Sequence, residues 1–134
     1  GPAGLGAIEA AVDKDKKIVG VDSDQSTAYA ENGDTTTAEH IVTSMVKNVG
    51  DSIFRAIEKD INGELAWGTS ESLGIAEDGV GLAKNDVYEA AFTDEQKAKI
   101  EEIQEKVVSG EIQVDSAIGM STEELDQIRN AVKP

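Results

Sequence analysis

Two aspartates that lie two residues apart, directly after an apolar run, are the residues of this chain best placed to do chemistry. Asp22 and Asp24 follow residues 18–21, and Ser44 and Lys47 follow the next apolar run. In open sheets of parallel strands, ligands collect at the edge formed by the carboxyl ends of the strands. Carboxylate, hydroxyl and ammonium groups at such an edge would hold either a metal with phosphate or a ligand rich in hydroxyl groups.

Phosphoryl transfer is one chemistry that this spacing permits. An aspartate nucleophile and an aspartate acid two residues apart would work beside Mg²⁺, and Lys47 would neutralise the phosphate. Such a site also needs an acidic pair on a loop after another strand. The acidic pairs at positions 101–102 and 123–124 belong to predicted helices instead. A DxD-type phosphatase is therefore the weaker interpretation, and we predict no catalytic residue, no cofactor and no metal.

Ligand binding requires fewer residues than phosphoryl transfer, because it needs no second acidic pair. A carboxylate at a strand end accepts two hydrogen bonds from vicinal hydroxyls such as those of a ribose, and Lys47 with Ser44 adds donors from the neighbouring strand. The alternative is that Asp22 caps its own loop while Lys47 is solvated, and spacing alone leaves both open. The one histidine, His40, is predicted to be structural, because a single histidine cannot form a histidine-based metal site.

Composition narrows the choice of partners. The 134 residues include 27 acidic and 12 basic side chains, which gives a formal net charge of −15. Such a surface repels phosphate backbones, so we predict no nucleic-acid partner, although the charge could also serve only solubility. The chain has no cysteine, which excludes disulfides and thiolate metal sites. Its start lacks the features of a signal peptide, and no apolar run is long enough to span a membrane.

The first third of the chain is predicted to hold a helix and two strands. The glycine-rich residues 1–6 indicate a turn that opens a helix over residues 7–12, and the strand Ile18–Asp22 follows. The polar residues 26–39 indicate a loop with one helical turn at most, and residues 40–44 indicate a second strand. Because no strand comes before the first helix, we expect the chain to begin partway through a fold.

The rest of the chain is predicted to alternate between amphipathic helices and short strands. Residues 45–61 place apolar side chains on one face of a helix that ends at Gly63, and Trp67 is expected to be a partly buried anchor. The further elements are strands over residues 69–75 and 79–83, a helix over residues 96–109 that begins near Thr93, a strand at Ile112 and Val114, and a helix from the Ser121–Glu124 capping box to about residue 132.

Five segments in this order resemble one known family. They are GPAGLGAIEAA, KIVGVDSDQ, IVTSMVKNVGDSIFRAI, GVGLA and EEIQEKVVSGEIQV. They look like the carboxyl-terminal part of the basic membrane protein family, the PnrA-like nucleoside-binding lipoproteins that serve ABC transporters. The resemblance covers residues 1 to about 115, and VDSDQ with TS-x-x-K is its most specific part. It departs at Pro2 and Ala3, where the family usually has threonine after two glycines.

The resemblance implies an α/β fold, specifically part of a type I periplasmic-binding-protein fold. This fold has parallel sheets flanked by helices in two lobes, with the ligand between them, and the N-terminal half would be missing from this chain. By this likeness residues 1–39 belong to one lobe, residues 40–64 to the other, and residues 65–134 return to the first lobe and form the C-terminal tail.

The resemblance also implies a function. The protein would be the non-enzymatic substrate-binding component of an ABC transporter and would bind a nucleoside, preferably a purine nucleoside. Asp22 would bind the ribose hydroxyls and Lys47 a hydroxyl or base atom, with Ser44, Asp24 and Gly4 nearby.

The implied partners are the nucleoside and the ABC permease subunits, and self-association of this chain is a further expectation. The protein would lie outside the cytoplasm, at the cell surface or in the periplasm, anchored by a lipidated N-terminus that is absent from this chain. The alternative is a stand-alone interaction or regulatory module of the same fold that has no role in transport.

Overall fold

A computed structural model describes residues 2–133 of the chain. In chain order the elements are α1 (Pro2–Asp13), β1 (Ile18–Asp22), α2 (Gln25–Glu31), α3 (Thr35–His40), β2 (Ile41–Lys47), α4 (Val49–Ile61), β3 (Val80–Leu82), α5 (Asp86–Ala91), α6 (Asp94–Val108) and α7 (Thr122–Ala131).

The three strands form one small mixed sheet in the order β1-β2-β3. β1 and β2 are parallel, with Gly20 opposite Ser44 and Asp22 opposite Val46. β3 pairs antiparallel with the last three residues of β2. The predicted α/β class, with a parallel strand pair flanked by helices, is confirmed, and the antiparallel third strand adds to it. The division of the chain into lobes stays a prediction.

The core lies around the central strand. Ile41 of β2 is fully buried, and β2 is rich in β-branched residues, which suit a strand covered on its faces. α3 and α5 contact β2, and α1 contacts both α3 and β1. The buried apolar residues are Ile8, Ala38, Ile41, Ala83 and Tyr88. With few large side chains inside, most of the stabilising apolar burial is concentrated where α1, α3 and α5 meet the sheet.

Residues 26–31 and 35–39 are helical, so the prediction of a loop is wrong for most of this segment, although the helical turn predicted around residues 28–31 lies within α2. Asp24 and Asp34 each cap a short helix, because their carboxylates accept hydrogen bonds from the backbone N–H groups of Thr27 and Thr37. Gly33, with a φ of +87°, makes the predicted turn between the two helices. Polar residues that read as a loop in the sequence therefore act here as helix caps.

The second strand is longer than predicted and begins later. His40 ends α3 rather than starting the strand, and residues 45–47 continue β2 instead of opening the next helix. The pairing of these three residues with β3 holds them extended. Ser44 consequently lies inside the strand, and Lys47 lies at its end.

Several further predictions are wrong. Residues 2–6 belong to α1 rather than to a glycine turn, and the predicted position of Gly1 lies outside the described residues. Residues 69–75 and the segment around Ile112 form no strand, since neither has a strand beside it to pair with. Trp67 is 79% exposed and is not an anchor. The short helix α5 is an element that the sequence pattern does not predict.

Where the helix signals are local, the predictions are confirmed. Thr93 caps α6 in a capping box with Gln96, and Gly110 follows its end with a φ of +78°. Ser121 and Glu124 form the predicted capping box of α7. The helix after β2 also ends as predicted, because Gly63 has a left-handed φ of +73° and its N–H donates to Asp60.

The apolar face of α4 is exposed. Val49, Ile53, Phe54, Ile57 and Ile61 are each more than half accessible to solvent. The amphipathic pattern of the helix is thus confirmed, but the face does not join the core described above. None of the helices that the structure describes in residues 2–133 is both long and apolar enough to cross a membrane.

Candidate ligand-binding site

Asp22 and Lys47 form an ion pair at the carboxyl edge of the parallel strands. The register places Asp22 beside Val46, so Lys47 extends one residue beyond it, and its Nζ lies 2.6 Å from Oδ1 of Asp22. Both side chains are about half exposed. The hydrogen bond and the charge of Lys47 hold the pKa of Asp22 below its ordinary value. The pair therefore presents an ionised carboxylate and an ammonium group together at an accessible sheet edge.

The backbone at Asp22 adopts an uncommon conformation. Its φ is +74°, in the left-handed region that L-residues seldom occupy and that aspartate tolerates better than most. The strand therefore turns sharply at the residue that carries the carboxylate. Residues held in such conformations are frequent at ligand sites, where the surrounding structure enforces them.

Asp24 ties the turn after β1 to two helices. Its carboxylate accepts hydrogen bonds from the N–H and the hydroxyl of Thr27, at 3.1 and 2.7 Å, and from Nδ2 of Asn85, at 2.8 and 3.0 Å. Partial burial would raise the pKa of Asp24, but the hydrogen bonds from Asn85 and Thr27 outweigh it and lower the pKa. Asp24 is thus fully engaged in positioning the start of α2 against α5.

Ser44 lies beneath the site rather than in it. Its side chain is 0% exposed, and its Oγ accepts a hydrogen bond from the N–H of Gln25 at 3.2 Å. In this structure it offers no surface to a ligand. Gly4 lies in the first half of α1, where an added Cβ would meet nothing within 4 Å. The structure therefore brings together Asp22 and Lys47, with Ser44 and Asp24 as supports.

Two cavities adjoin these residues. One of about 400 Å³ is lined by Lys47 together with Ser52, Ile53, Leu73 and Val80, and is mostly apolar. Another of about 250 Å³ lies between Leu5 of α1 and one side of α2, from Gln25 to Asn32. A polar pair beside a mainly apolar cavity suits a small ligand that has a hydroxyl-rich part and a flat apolar part.

Other chemistry finds less support in the arrangement of side chains. In residues 2–133, no three histidine or acidic side chains come together in a group that could hold a metal ion. His40 contacts the carbonyl of Thr36 through Nδ1, at 2.8 Å, and lies 3.4 Å from Asp15 through Nε2. These contacts hold the end of α3 next to the turn after α1, away from the residues of the sheet edge.

Comparison with known proteins decides the family. The model of a family described as ABC transporter substrate-binding protein PnrA-like matches residues 1–117. The chain belongs to the PnrA-like family. The resemblance found in the sequence is thereby confirmed, and the α/β fold agrees with part of a periplasmic-binding-protein fold. The description of the family is that of substrate-binding proteins of ABC transporters.

A curated relative supports the same assignment. Basic membrane protein D of Borreliella burgdorferi (strain JD1) is 33% identical to this PnrA-like chain over 97 residues, which is 70% of this chain and 26% of the relative. The chain thus spans about a quarter of the length of that protein.

The sequence pattern did not point to two residues of the candidate site, Gly20 and Gln25. A Cβ on Gly20 would lie 2.7 Å from Oε1 of Gln25 and closer still to Oγ of Ser44, so a larger residue would displace both of these side chains. Oε1 of Gln25 in turn accepts a hydrogen bond from the N–H of Val21 at 2.9 Å. A glycine inside an apolar strand pattern is a recognised sign of close approach, and it is the signal that could have identified this packing.

Proposed function

We propose that this PnrA-like chain forms part of the site at which an ABC transporter substrate-binding protein binds a nucleoside. The observation that carries the proposal is the ion pair of Asp22 and Lys47, exposed at the sheet edge next to a mainly apolar cavity. The proposed protein is not an enzyme. It recognises its ligand by hydrogen bonds in a cleft between two lobes.

The two charged residues have separate roles in this proposal. Asp22 accepts hydrogen bonds from the two ribose hydroxyls, since an ionised carboxylate has lone pairs for both and still has room for Lys47. Lys47 donates to a hydroxyl or base atom. Because the ammonium lowers the pKa of Asp22, the carboxylate stays ionised at neutral pH. The opposite charges offset one another, which favours a neutral ligand.

The supporting residues act through the backbone. Ser44 and Asp24 hold the start of α2, and we propose that they fix the turn that carries Asp22 rather than contact the ligand through free side-chain atoms. Gly4 is proposed to lie near the ligand through its backbone.

Charge and cavity lining support the choice of ligand. A net charge of −15 disfavours nucleotides, whose phosphates the protein would repel, and so supports a nucleoside. The mainly apolar lining next to Lys47 suits a flat base, and a purine offers the larger apolar face. A purine nucleoside is therefore the proposed ligand.

The setting of the protein is proposed from the family. We propose that the full-length protein is a lipoprotein, works outside the cytoplasm through a lipidated N-terminus and delivers its ligand to ABC permease subunits. This chain alone is expected to bind weakly or not at all, because it spans about a quarter of its curated relative.

Isothermal titration calorimetry on the full-length protein tests the proposal. The panel is adenosine, guanosine, inosine, uridine, cytidine, free ribose and AMP, and we expect the purine nucleosides to bind most tightly. Asp22→Asn should weaken binding by about 1.5 to 3 kcal/mol, as for loss of a hydrogen bond to a charged group. Asp115→Asn, an exposed loop carboxylate, is the control and should bind normally. No heat with any nucleoside would refute the function, and an unchanged affinity in Asp22→Asn would refute the role of Asp22.

A second candidate function is self-association as an interaction module. It is favoured by the exposed apolar face of α4 and by the position of β1 at an edge of the sheet, with Val19 56% exposed. Large exposed apolar patches mark interaction surfaces, and open sheet edges pair readily with a second chain. Sedimentation velocity on this chain should reveal a dimer that Phe54→Lys disrupts and Glu58→Gln does not. A monomer at all concentrations would exclude it.

A further inference from the structure

We propose that Gln25 is a positioning residue, which sets the place of the Asp22 carboxylate in the ligand site. The inference rests on four residues, Gly20, Val21, Gln25 and Ser44, which we call the Gln25 clasp. The expected effect of Gln25 on ligand affinity rests on the proposed nucleoside function. The positioning of Asp22 in the ligand-free protein does not depend on that function.

The clasp closes the turn that carries Asp22 from both of its ends. Before the turn, the N–H of Val21 donates to Oε1 of Gln25 at 2.9 Å. After the turn, the N–H of Gln25 donates to Oγ of Ser44 at 3.2 Å, and Ser44 is a fully buried residue of the neighbouring strand. Gln25 thus links the end of β1, the start of α2 and the middle of β2 through its side-chain oxygen and its backbone N–H.

The bare backbone of Gly20 makes this closure possible. A Cβ there would lie 2.7 Å from Oε1 of Gln25 and 3.2 Å from Cγ2 of Ile41. Both distances are shorter than van der Waals contact, so the amide of Gln25 reaches Val21 only because the glycine leaves the space free. Gly20 pairs with Ser44 in the register, so Val21, the next residue of β1, lies close to Ser44, and Gln25 can bind both.

Asp22 is the residue that the clasp constrains. Its φ of +74° is unfavourable for an L-residue, so the turn would relax unless other contacts held it. The bond from Val21 fixes the residue before Asp22, and the N-cap contacts of Asp24 fix the residues after it. These contacts therefore orient Asp22 toward Lys47.

The Gln25 clasp and Asp24 hold different parts of the turn that carries Asp22. Asp24 anchors the turn to α2 and to Asn85, and it would hold the helix in place whatever Asp22 did. Gln25 instead engages the strand immediately before Asp22. Loss of its Oε1 should free the carboxylate while the helix remains capped.

The test uses Gln25→Met in the full-length protein, because methionine matches the length of glutamine but lacks the acceptor. Without ligand, amide hydrogen exchange at Val21 should become faster, and the pKa of Asp22, followed by carboxyl ¹³C NMR, should rise toward its ordinary value as the contact with Lys47 loosens. Purine nucleoside affinity should fall roughly ten-fold, the effect of one lost hydrogen bond. Gln25→Glu restores an oxygen acceptor and should restore the protection of Val21.

Gln127→Met, on the exposed face of α7, is the matched control and should change none of these quantities. An unchanged Asp22 titration in Gln25→Met, despite faster exchange at Val21, would show a merely structural role and overturn the proposal. If Gln25→Met fails to fold, amide hydrogen exchange at Val21 in the unmodified protein tests the proposal instead. Slow exchange at Val21 supports the clasp, and exchange as fast as in an unprotected loop overturns it. The protein could fail to bind any nucleoside while Gln25→Met still changes the exchange at Val21 and the titration of Asp22. That outcome would refute the proposed function and leave the positioning role of Gln25 intact.

Discussion

Substituting Gly20 by alanine is the most incisive single test of the site. The added methyl would lie 2.7 Å from Oε1 of Gln25 and nearer still to Oγ of Ser44, with Cγ2 of Ile41 at 3.2 Å. Ile41 and Ser44 are fully buried in β2, and Gln25 is half-buried at the start of α2, so the clash must be relieved by rotation of side chains. The side chains of Gln25 and Ser44 must rotate away, and the hydrogen bonds that they make with Val21 and with each other are lost.

The magnitude follows from these contacts. Overpacking of a well-packed site costs about 1 to 3 kcal/mol, and each hydrogen bond lost adds about 0.5 to 1.5 kcal/mol. The first atoms that the methyl meets are side-chain ends that can rotate, so the lower half of each range applies. With two hydrogen bonds lost, we expect Gly20→Ala to lower the free energy of unfolding by about 2 to 4 kcal/mol. Because total stabilities of domains are about 5 to 15 kcal/mol, this change is large enough to measure without ambiguity.

Urea unfolding followed by circular dichroism is the assay. The midpoint should fall while the slope m stays constant, since the surface exposed on unfolding is unchanged. Gly50→Ala is the control, because it lies in α4 with nothing within 4 Å of the added methyl, and it should be stabilising by about 0.5 to 1 kcal/mol. Adding Ser44→Ala to Gly20→Ala removes the closest clash and should recover part of the loss. A Gly20→Ala protein within about 0.5 kcal/mol of the unmodified protein would refute the packing argument.

Two further predictions concern α6. Hydrogen bonds from Lys99 and Lys106 lower the pKa of Glu102 to about 2, so its stabilising contribution is complete above its ordinary pKa of 4.5 and is lost as the pH falls toward 2. Glu102→Gln should therefore reduce the loss of stability between pH 4.5 and 2, and an identical acid titration of stability in both proteins would contradict this. Thr93→Ala should lower stability by about 1 kcal/mol and speed amide exchange at Gln96, while Thr93→Ser should have little effect.

The sequence predicts elements best where the signal is local. The strand that ends at Asp22 is predicted from its apolar run. The capping boxes of α6 and α7 are each defined by four consecutive residues. The ion pair between Asp22 and Lys47 depends on the parallel pairing of β1 with β2 and on the extension of β2 to Lys47, which the sequence pattern places in a helix. Family resemblance supplied the wider fold.

What the sequence could not predict depends on distant parts of the chain. Lys47 ends a strand because β3, more than 30 residues later, pairs with it, and no local pattern distinguishes this from a helix start. The fit of Gly20 against Gln25 depends on the register with β2, which the sequence does not give. The spacing of apolar residues in α4 predicts an amphipathic helix, but it does not predict whether the apolar face is buried or exposed to solvent.

The left-handed backbone at Asp22 explains why an aspartate rather than a glutamate stands there. A φ of +74° is tolerated by asparagine and aspartate, whose short polar side chains bond locally, and much less by glutamate. The position thus imposes two separate requirements, a negative charge and a short side chain. Asparagine meets the second without the first, and glutamate the first without the second. Aspartate is the one residue among the twenty that satisfies both, so natural variation at this position should be narrow even where the ligand changes.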